Sequence, residues 1–247
     1  RFDLMGLSHS PRIVTDGLVL CLDAANKRSY PGAGTTWTDL SKQENNGTLV
    51  NGPTFDSANG GSIVLDGIDD RIDTTSLNSY NFHENPYTVG LWCKVNSYAP
   101  QKYFWTKNID DNSALGILFW INNSSQVVFK TFPVVPITDG GVKLIFGNMS
   151  STLSNTWKHY VITCEDGNKT LASNYNFYLD GQYTSPNSTQ NSASVTSNSQ
   201  GIISVGARSQ DNNRNMDGDF AIFQVYNRAL TPDEIRQNYL ATKGRFQ

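Results

Sequence analysis

The sequence has little charge of either sign and no long apolar run. Its 247 residues include 22 acidic and 19 basic side chains, giving a net charge of −3 without blocks of one sign. Binding nucleic acid through its phosphates requires a basic face, so this composition predicts no nucleic-acid partner. The longest apolar stretch, Ala114 to Ile121, is far shorter than the ~20 residues that span a bilayer. We therefore predict no membrane insertion.

Cysteine is also scarce. Cys21, Cys93 and Cys164 each lie inside an apolar run, and three cysteines cannot all pair within one chain. A reactive thiol or a metal ligand is the alternative, but no cysteine or histidine lies at ligand spacing. The pattern predicts three buried, reduced core residues.

Short runs of alternating apolar and polar residues, separated by turn residues, dominate the chain. In Tyr87–Val95, for example, every second residue from Val89 to Val95 is apolar, which is typical of a strand with one buried face. About a dozen such strands favour a β-sandwich. The predicted strands are Gly17–Asp23, Gly47–Val50, Ser62–Asp66, Arg71–Asp73, Tyr87–Val95, Lys102–Lys107, Ala114–Ile121, Gln126–Thr131, Val142–Phe146, Trp157–Cys164, Asn176–Leu179, Ile202–Val205 and Phe220–Tyr226.

Turn and helix signals complete this pattern. Asp66–Asp70 and Leu179–Gln182 contain the Asp-Gly pair that is typical of β-hairpins. Thr231 and Glu234 form a capping box, and Pro232 fits the first helical position. These residues predict a helix that runs to about Thr242, with Gly244 as its stop. We expect the helix to lie across a sheet edge or one end of the sandwich. The polar stretch from Tyr183 to Gln200 predicts an exposed loop.

Seven segments, in order, resemble the laminin-G-like branch of the concanavalin A-like superfamily. They include the D-G-x-D-D and Y-N-R-A-L-T patterns, and the resemblance extends from about Asp16 to Lys243. The segments are Asp16–Asn26, Trp37–Ser41 with Asn45–Leu49, Ser62–Asp70, Thr88–Trp92, Trp157–Val161, Phe177–Gly181 and Gly218–Thr231. The resemblance implies an all-β, two-sheet antiparallel jelly-roll sandwich with a short C-terminal helix. We predict an N-terminal arm at residues 1–15 and the sandwich at residues 16–247.

Catalytic residues of the kind used by glucanases of this fold are missing from the sequence. Those enzymes carry three acidic residues in an E-x-D-x-E pattern, which places two carboxylates on one side of a strand. None of the four glutamates begins such a pattern. We therefore predict no catalytic residues and no enzyme activity. The alternative is a divergent glycoside hydrolase whose carboxylates come from different strands.

Acidic turns are the candidate metal sites. Calcium prefers six to eight oxygen ligands, which carboxylates and backbone carbonyls in such turns supply. The candidate ligands are Asp66, Asp69 and Asp70 in one turn and Asp217 and Asp219 in another; Asp110 and Asp111 form a further cluster. Aspartate is also common in turns that bind no metal, so a purely structural role in the turn is the alternative for each cluster. Calcium is the cofactor that we predict, because laminin-G-like domains often bind it at a sandwich rim.

Aromatic side chains are the candidate ligand contacts. Sugar faces stack on exposed rings while amides and carboxylates bind the hydroxyls. The candidate carbohydrate-binding residues are Trp37, Tyr98, Tyr103, Trp105 and Trp120, with core packing as the alternative for each.

The ending Tyr226–Thr231, in a polar, asparagine-rich chain, looks most like the domains of tailed-phage structural proteins. This resemblance implies a non-catalytic domain displayed on a virion surface, as a decoration or fibre protein with a possible adhesion role toward host-surface glycans. The predicted partners are virion proteins of the capsid or tail, bound through the N-terminal arm. A secreted bacterial carbohydrate-binding adhesion module is the alternative.

Overall fold

A computed structural model shows the predicted sandwich of two antiparallel β-sheets with one short α-helix near the C-terminus. The structure describes residues 11–74, 77, 80–82, 84–97, 101–107, 116–132, 141–148, 155–166, 169–192, 201–208 and 214–247. Tyr98 and the Asp110–Asp111 cluster lie outside these ranges.

The first sheet has eight strands in the order β14-β13-β12-β7-β17-β5-β4, with β1 also paired to β17. Its strands are β1 (Leu18–Asp23), β4 (Thr54–Asp56), β5 (Ser62–Asp66), β7 (Tyr87–Ser97), β12 (Trp157–Cys164), β13 (Tyr175–Leu179), β14 (Gln182–Thr184) and β17 (Asp217–Tyr226).

The second sheet has nine strands in the order β15-β11-β10-β9-β8-β16-β6-β3-β2. Its strands are β2 (Thr36–Trp37), β3 (Gly47–Val50), β6 (Arg71–Thr74), β8 (Lys102–Lys107), β9 (Gly116–Ile121), β10 (Gln126–Phe132), β11 (Lys143–Asn148), β15 (Ser188–Gln190) and β16 (Ile203–Val205).

The core lies between the sheets and follows the predicted alternation. Val89, Leu91, Cys93 and Val95 of β7 all point into it. The three cysteines are buried and unpaired, as predicted. Burial raises the pKa of the Cys21 thiol to about 12, so this sulfur stays protonated and unreactive near neutral pH.

The two Asp-Gly turns differ in what they connect. Asp180 and Gly181 join β13 to β14 as a two-residue hairpin, and both have positive φ, as predicted. The 66–70 turn instead carries the chain from β5 in one sheet to β6 in the other. The hairpin prediction is therefore wrong there, because local turn chemistry does not distinguish a hairpin from a crossing between sheets.

The predicted polar loop at 183–200 also contains regular structure. β14 and β15 occupy residues 182–184 and 188–190, at one edge of each sheet. Their side chains are mostly exposed, so no apolar alternation marks them, and backbone pairing with β13 and β11 holds them.

Helix α1 (Pro232–Thr242) begins at the predicted cap, and both hydrogen bonds of the capping box are present. It ends at Thr242, as predicted, but the role of Gly244 and the location of the helix differ from the prediction. Gly244 belongs to a 3₁₀ turn, Lys243–Arg245, that follows the helix. The helix covers the outer face of the eight-stranded sheet, where Tyr239 stacks on Trp92 with ring centroids 5.7 Å apart. No helix of the described residues has the length and apolarity to cross a membrane.

The start of the described chain contacts this helix. The Val14 amide donates to Asn238 Oδ1 at 2.8 Å, and the Tyr226 hydroxyl donates to the Val14 carbonyl at 3.0 Å. Residues 11–15 of the predicted arm thus adjoin the sandwich, and residues 1–10 lie outside the described ranges.

A bidentate ion pair at the start of α1 leads to a pH-dependent prediction. Arg228 donates to both carboxylate oxygens of Glu234, at 2.9 and 2.6 Å, which lowers the Glu234 pKa to about 2. Glu234→Gln keeps a capping-box residue but removes the charge, so we expect a loss of about 1 kcal/mol in unfolding free energy at pH 7.

Because the folded-state pKa is lowered, this stabilisation is complete above the ordinary value of about 4.3 and disappears as the pH falls toward 2. Urea unfolding of both proteins between pH 2 and 7 measures it. Asp233→Asn, in the same helical turn, controls for the helix dipole. A difference that does not change with pH would contradict the assignment.

Candidate functional site

Two of the predicted ligand-contacting rings belong to the core. Trp37 in β2 and Trp105 in β8 are both fully buried between the sheets. No ligand reaches these rings in the folded protein, so the structure corrects the prediction for both. The facing of Trp105 could not be read from the sequence because a bulge between Tyr103 and Trp105 interrupts the alternation of β8. Trp37 lies in a strand of two residues, which is too short to show alternation.

Tyr103 and Trp120 lie on the opposite face of the nine-stranded sheet. They are register partners on β8 and β9, with ring centroids 6.3 Å apart, and they cluster with Leu118 and Val128. Tyr103 is fully buried, at 1% exposed, so a ligand could reach only Trp120, which retains 8% of its surface exposed. The structure thus brings two of the five predicted rings together, away from the core.

Polar side chains bind the edge of this aromatic pair. The Tyr103 hydroxyl accepts hydrogen bonds from Gln101 Nε2 at 3.2 Å and from Arg214 Nη1 at 3.3 Å. The Arg214 carbonyl also accepts from the Tyr103 amide, at 3.3 Å. Residue 214 therefore lies beside the start of β8.

The turn between β5 and β6 gathers the predicted acidic residues. One carboxylate oxygen from each of Asp66, Asp69 and Asp70 lies within 4.8 Å of the others. The Ile68 amide donates to Asp66 Oδ1 at 2.8 Å, and the Asp66 amide donates to Asp70 Oδ2 at 3.1 Å. The backbone of the turn therefore orients two of the three carboxylates.

This turn carries opposing electrostatic effects. Burial, together with Asp66 and Asp69, raises the pKa of Asp70, so its negative charge is poorly compensated. Lys102 Nζ donates to the Gly67 carbonyl at 3.4 Å, which places a positive charge beside the acidic residues. Burial lowers the Lys102 pKa, and Asp217 and Asp66 oppose that effect.

Asn215 adds an oxygen to the same turn. Its side chain is almost fully buried, and its Nδ2 donates to the Ile68 carbonyl at 3.2 Å. Its Oδ1 is buried and accepts no hydrogen bond within the described part of the chain. Carboxylate, carbonyl and amide oxygens are the ligands that a hard cation such as calcium prefers. The positive charge of Lys102 opposes cation binding at this turn.

The second predicted acidic pair divides between two places. Asp217 begins β17 and lies opposite Asp66 in the ladder, and Asn96 Nδ2 donates to its Oδ1 at 3.3 Å. Asp219 is buried on β17 and forms an ion pair with Lys94 at 2.6 Å. Both residues therefore lie in a strand and not in the predicted turn. The prediction of Asp219 as a metal ligand is corrected, because its carboxylate forms a structural ion pair.

The two predicted sets, aromatic and acidic, adjoin one another. Lys102 and Tyr103 are consecutive in β8, and Arg214 and Asn215 contact Tyr103 and Ile68 respectively. We call this region the acidic-aromatic end; its members are Asp66, Asp69, Asp70, Lys102, Tyr103, Trp120, Arg214 and Asn215. Sequence reasoning missed Lys102, Arg214 and Asn215, because nothing in their local sequence marks them as neighbours of that turn.

The fold defines a two-sheet antiparallel β-sandwich of the jelly-roll class. The particular family follows from the sequence, since the Laminin_G_3 family model, described as the concanavalin A-like lectin/glucanases superfamily, matches residues 66–236. The chain therefore belongs to this superfamily. No curated protein sequence matches the chain.

Solved structures share the fold at low sequence identity. The binding domain of Paraclostridial Mosquitocidal Protein 1 has 19% identity and a TM-score of 0.64, and that of botulinum neurotoxin serotype D has 17% and 0.65. These matches cover 91% and 92% of this chain, which spans about half (52%) of each toxin binding domain.

Domain 4 of AbnA, a GH43 extracellular arabinanase from Geobacillus stearothermophilus solved in complex with arabinotriose, is also similar. It has 16% identity and a TM-score of 0.63, and the match covers 91% of this chain and 98% of that domain.

Calcium binding at the acidic turn is a testable prediction. We expect millimolar calcium to raise the melting temperature by several degrees over excess chelator, because a ligand of the folded state alone stabilises it. Asp70→Asn should remove the rise. Lys102→Met should enlarge it, because this change removes the competing positive charge at similar volume. Asp56→Asn, in β4 opposite Ser62 and so at the other end of β5 from the acidic turn, should behave like the unmodified protein. Equal melting temperatures in calcium and chelator would refute the prediction.

Proposed function

We propose that this chain is a non-catalytic carbohydrate-binding domain that contacts its glycan through the acidic-aromatic end. The observation that carries the proposal is the juxtaposition of Tyr103 and Trp120 with the 66–70 turn, joined by Lys102 and Arg214. The exposed part of Trp120, which packs on the buried Tyr103, can contact the apolar face of a sugar, and the amides and charged groups at this end of the sheet can bind its hydroxyls.

The similar structures support a binding role. Two are named as toxin binding domains, and the third is an arabinanase domain in complex with arabinotriose. At this low sequence identity, the similarity establishes the fold alone. The choice of glycan therefore depends on the residues of this chain. Lys102 beside the acidic turn and Arg214 beside Tyr103 offer donors, and the carboxylates offer acceptors, to the hydroxyls of a glycan.

A divergent glycoside hydrolase is the competing proposal, since the acidic turn is the tightest group of carboxylates among the described residues. Retaining hydrolases hold their two carboxyl groups about 5–5.5 Å apart and inverting ones about 6.5–9.5 Å apart, to leave room for substrate or water. Oxygens within 4.8 Å, one of them bound to the Asp66 amide, suit a shared cation better than two separate catalytic roles.

Glycan binding is tested with a glycan array followed by calorimetry on the best ligand. Arg214→Gln should weaken binding roughly tenfold, because a charge-assisted hydrogen bond contributes about 1.5–3 kcal/mol. Trp120→Phe should weaken it less, because it keeps an aromatic ring. Asp56→Asn again serves as the control. Hydrolysis of the bound glycan that Asp70→Asn abolishes would establish the hydrolase instead.

We further propose that the domain is displayed on a virion surface, held by residues 1–10. Unpaired, buried cysteines suit assembly in a reducing cytoplasm, and the apolar residues Phe2, Leu4, Met5 and Leu7 of this segment suit ordering on a partner. A secreted adhesion module is the alternative.

Deletion of residues 1–10 leaves Val14 and its contacts with α1 in place, so the domain should fold while its incorporation into purified particles falls sharply. The measurement is immunoblotting of purified particles, with the melting temperature as the folding control. Normal incorporation of the truncated protein would exclude the segment as the anchor. Absence of the intact protein from particles would exclude virion display.

A further inference from the structure

A pocket of about 430 Å³ opens at the edge of the sandwich, where the chain passes from one sheet to the other. Strands β13 and β14 of the eight-stranded sheet form one side, and β11 and β15 of the nine-stranded sheet form the other. The volume lies within the range of about 300–1,000 Å³ that small-molecule sites occupy. The pocket is far from the acidic-aromatic end, because β9, β10 and β11 separate β15 from β8.

The floor of the pocket is apolar and held in place by the core. Leu144, Ala172 and Tyr175 are almost fully buried there. The Tyr175 hydroxyl donates to the Lys169 carbonyl at 3.1 Å, and Leu144 pairs with Thr189 across the β11–β15 ladder. Such a floor is preformed, so a ligand need not order it on binding.

The walls of the pocket are polar and uncharged. Ser173, Asn176, Thr189 and Asn191 contribute hydroxyl and amide groups, and no lining residue of the described chain is acidic or basic. The Ala172 amide donates to Asn191 Oδ1 at 2.8 Å, which leaves the amide nitrogen as the donor that Asn191 offers a ligand. A ligand with hydroxyl groups, which both donate and accept hydrogen bonds, is complementary to these side chains. An anionic ligand would find no cationic partner among these lining residues.

An exposed aromatic ring forms the lip of the pocket. Tyr183 has 54% of its surface exposed, although it is among the largest apolar side chains of that edge. Tyr178 packs against it in a T-shaped arrangement with ring centroids 5.8 Å apart, and more than half of Tyr183 remains accessible to a ligand. An apolar floor, neutral hydrogen-bonding walls and an accessible ring together fit a sugar.

We infer that this pocket is a second carbohydrate site, which takes a short uncharged saccharide. The inference rests on the proposed glycan-binding function, but it uses none of the residues of the acidic-aromatic end. Tyr183 stacks on one face of the sugar, and Asn191 and Thr189 bind its hydroxyls.

The test is calorimetric titration of the full chain with uncharged arabino-, manno-, gluco- and galacto-oligosaccharides, and with an oligogalacturonate as the charged comparison. Tyr183→Ala should lower the affinity about tenfold through lost stacking, and Tyr183→Phe should change it less than about twofold. Asn191→Asp keeps the acceptor for the Ala172 amide and removes the donor, so we expect about a fivefold loss. Each variant should keep the melting temperature, because Tyr183 is half exposed and the Asn191 bond is preserved.

Comparison with Arg214→Gln separates the two proposals. If Tyr183→Ala and Asn191→Asp weaken binding while Arg214→Gln does not, the pocket is the site and the acidic-aromatic end is not. If only Arg214→Gln weakens binding, the pocket is excluded and the proposed function stands. Binding of charged saccharides alone would overturn the ligand class, and no binding to any saccharide would overturn both proposals.

Discussion

Backbone pairing of strand β17 is the interaction on which the rest of the structure depends. This strand forms ladders with β1, β5 and β7, so residues close to the C-terminus hold the N-terminal strand and the middle of the chain in one sheet. The crowding at its start requires glycine: a Cβ on Gly218 would lie 2.4 Å from the Lys94 carbonyl oxygen.

The same pairing assembles the acidic-aromatic end. Asp217 lies opposite Asp66, and this register brings the preceding residues, Arg214 and Asn215, against the 66–70 turn and the start of β8. The turn crosses between sheets, so it lies where both sheets end. Charges gathered there are partly buried, which strengthens their interactions relative to those on an open surface.

The two proposed sites are built by different physical means. At the acidic-aromatic end, the groups are charged: Lys102 lies against the turn that carries the three carboxylates, and Arg214 contacts Tyr103. At the edge pocket, the groups are neutral and the ladders of β14 and β15 position them. Polar edge strands with exposed side chains suit such a pocket, because their backbone is held by hydrogen bonds while their side chains remain free of core packing.

The sequence by itself determined the fold class, the buried cysteines and the start of α1. Each depends on local patterns, namely period-two alternation in β7, apolar neighbours around Cys93 and the capping box from Thr231 to Glu234. Tertiary structure alone decided which rings are core and which face outward, since a bulge in β8 reverses the alternation between Tyr103 and Trp105. It also decided that the 66–70 turn crosses between sheets and meets Arg214 and Asn215. Strand pairing over more than a hundred residues sets those contacts, and no local pattern records them.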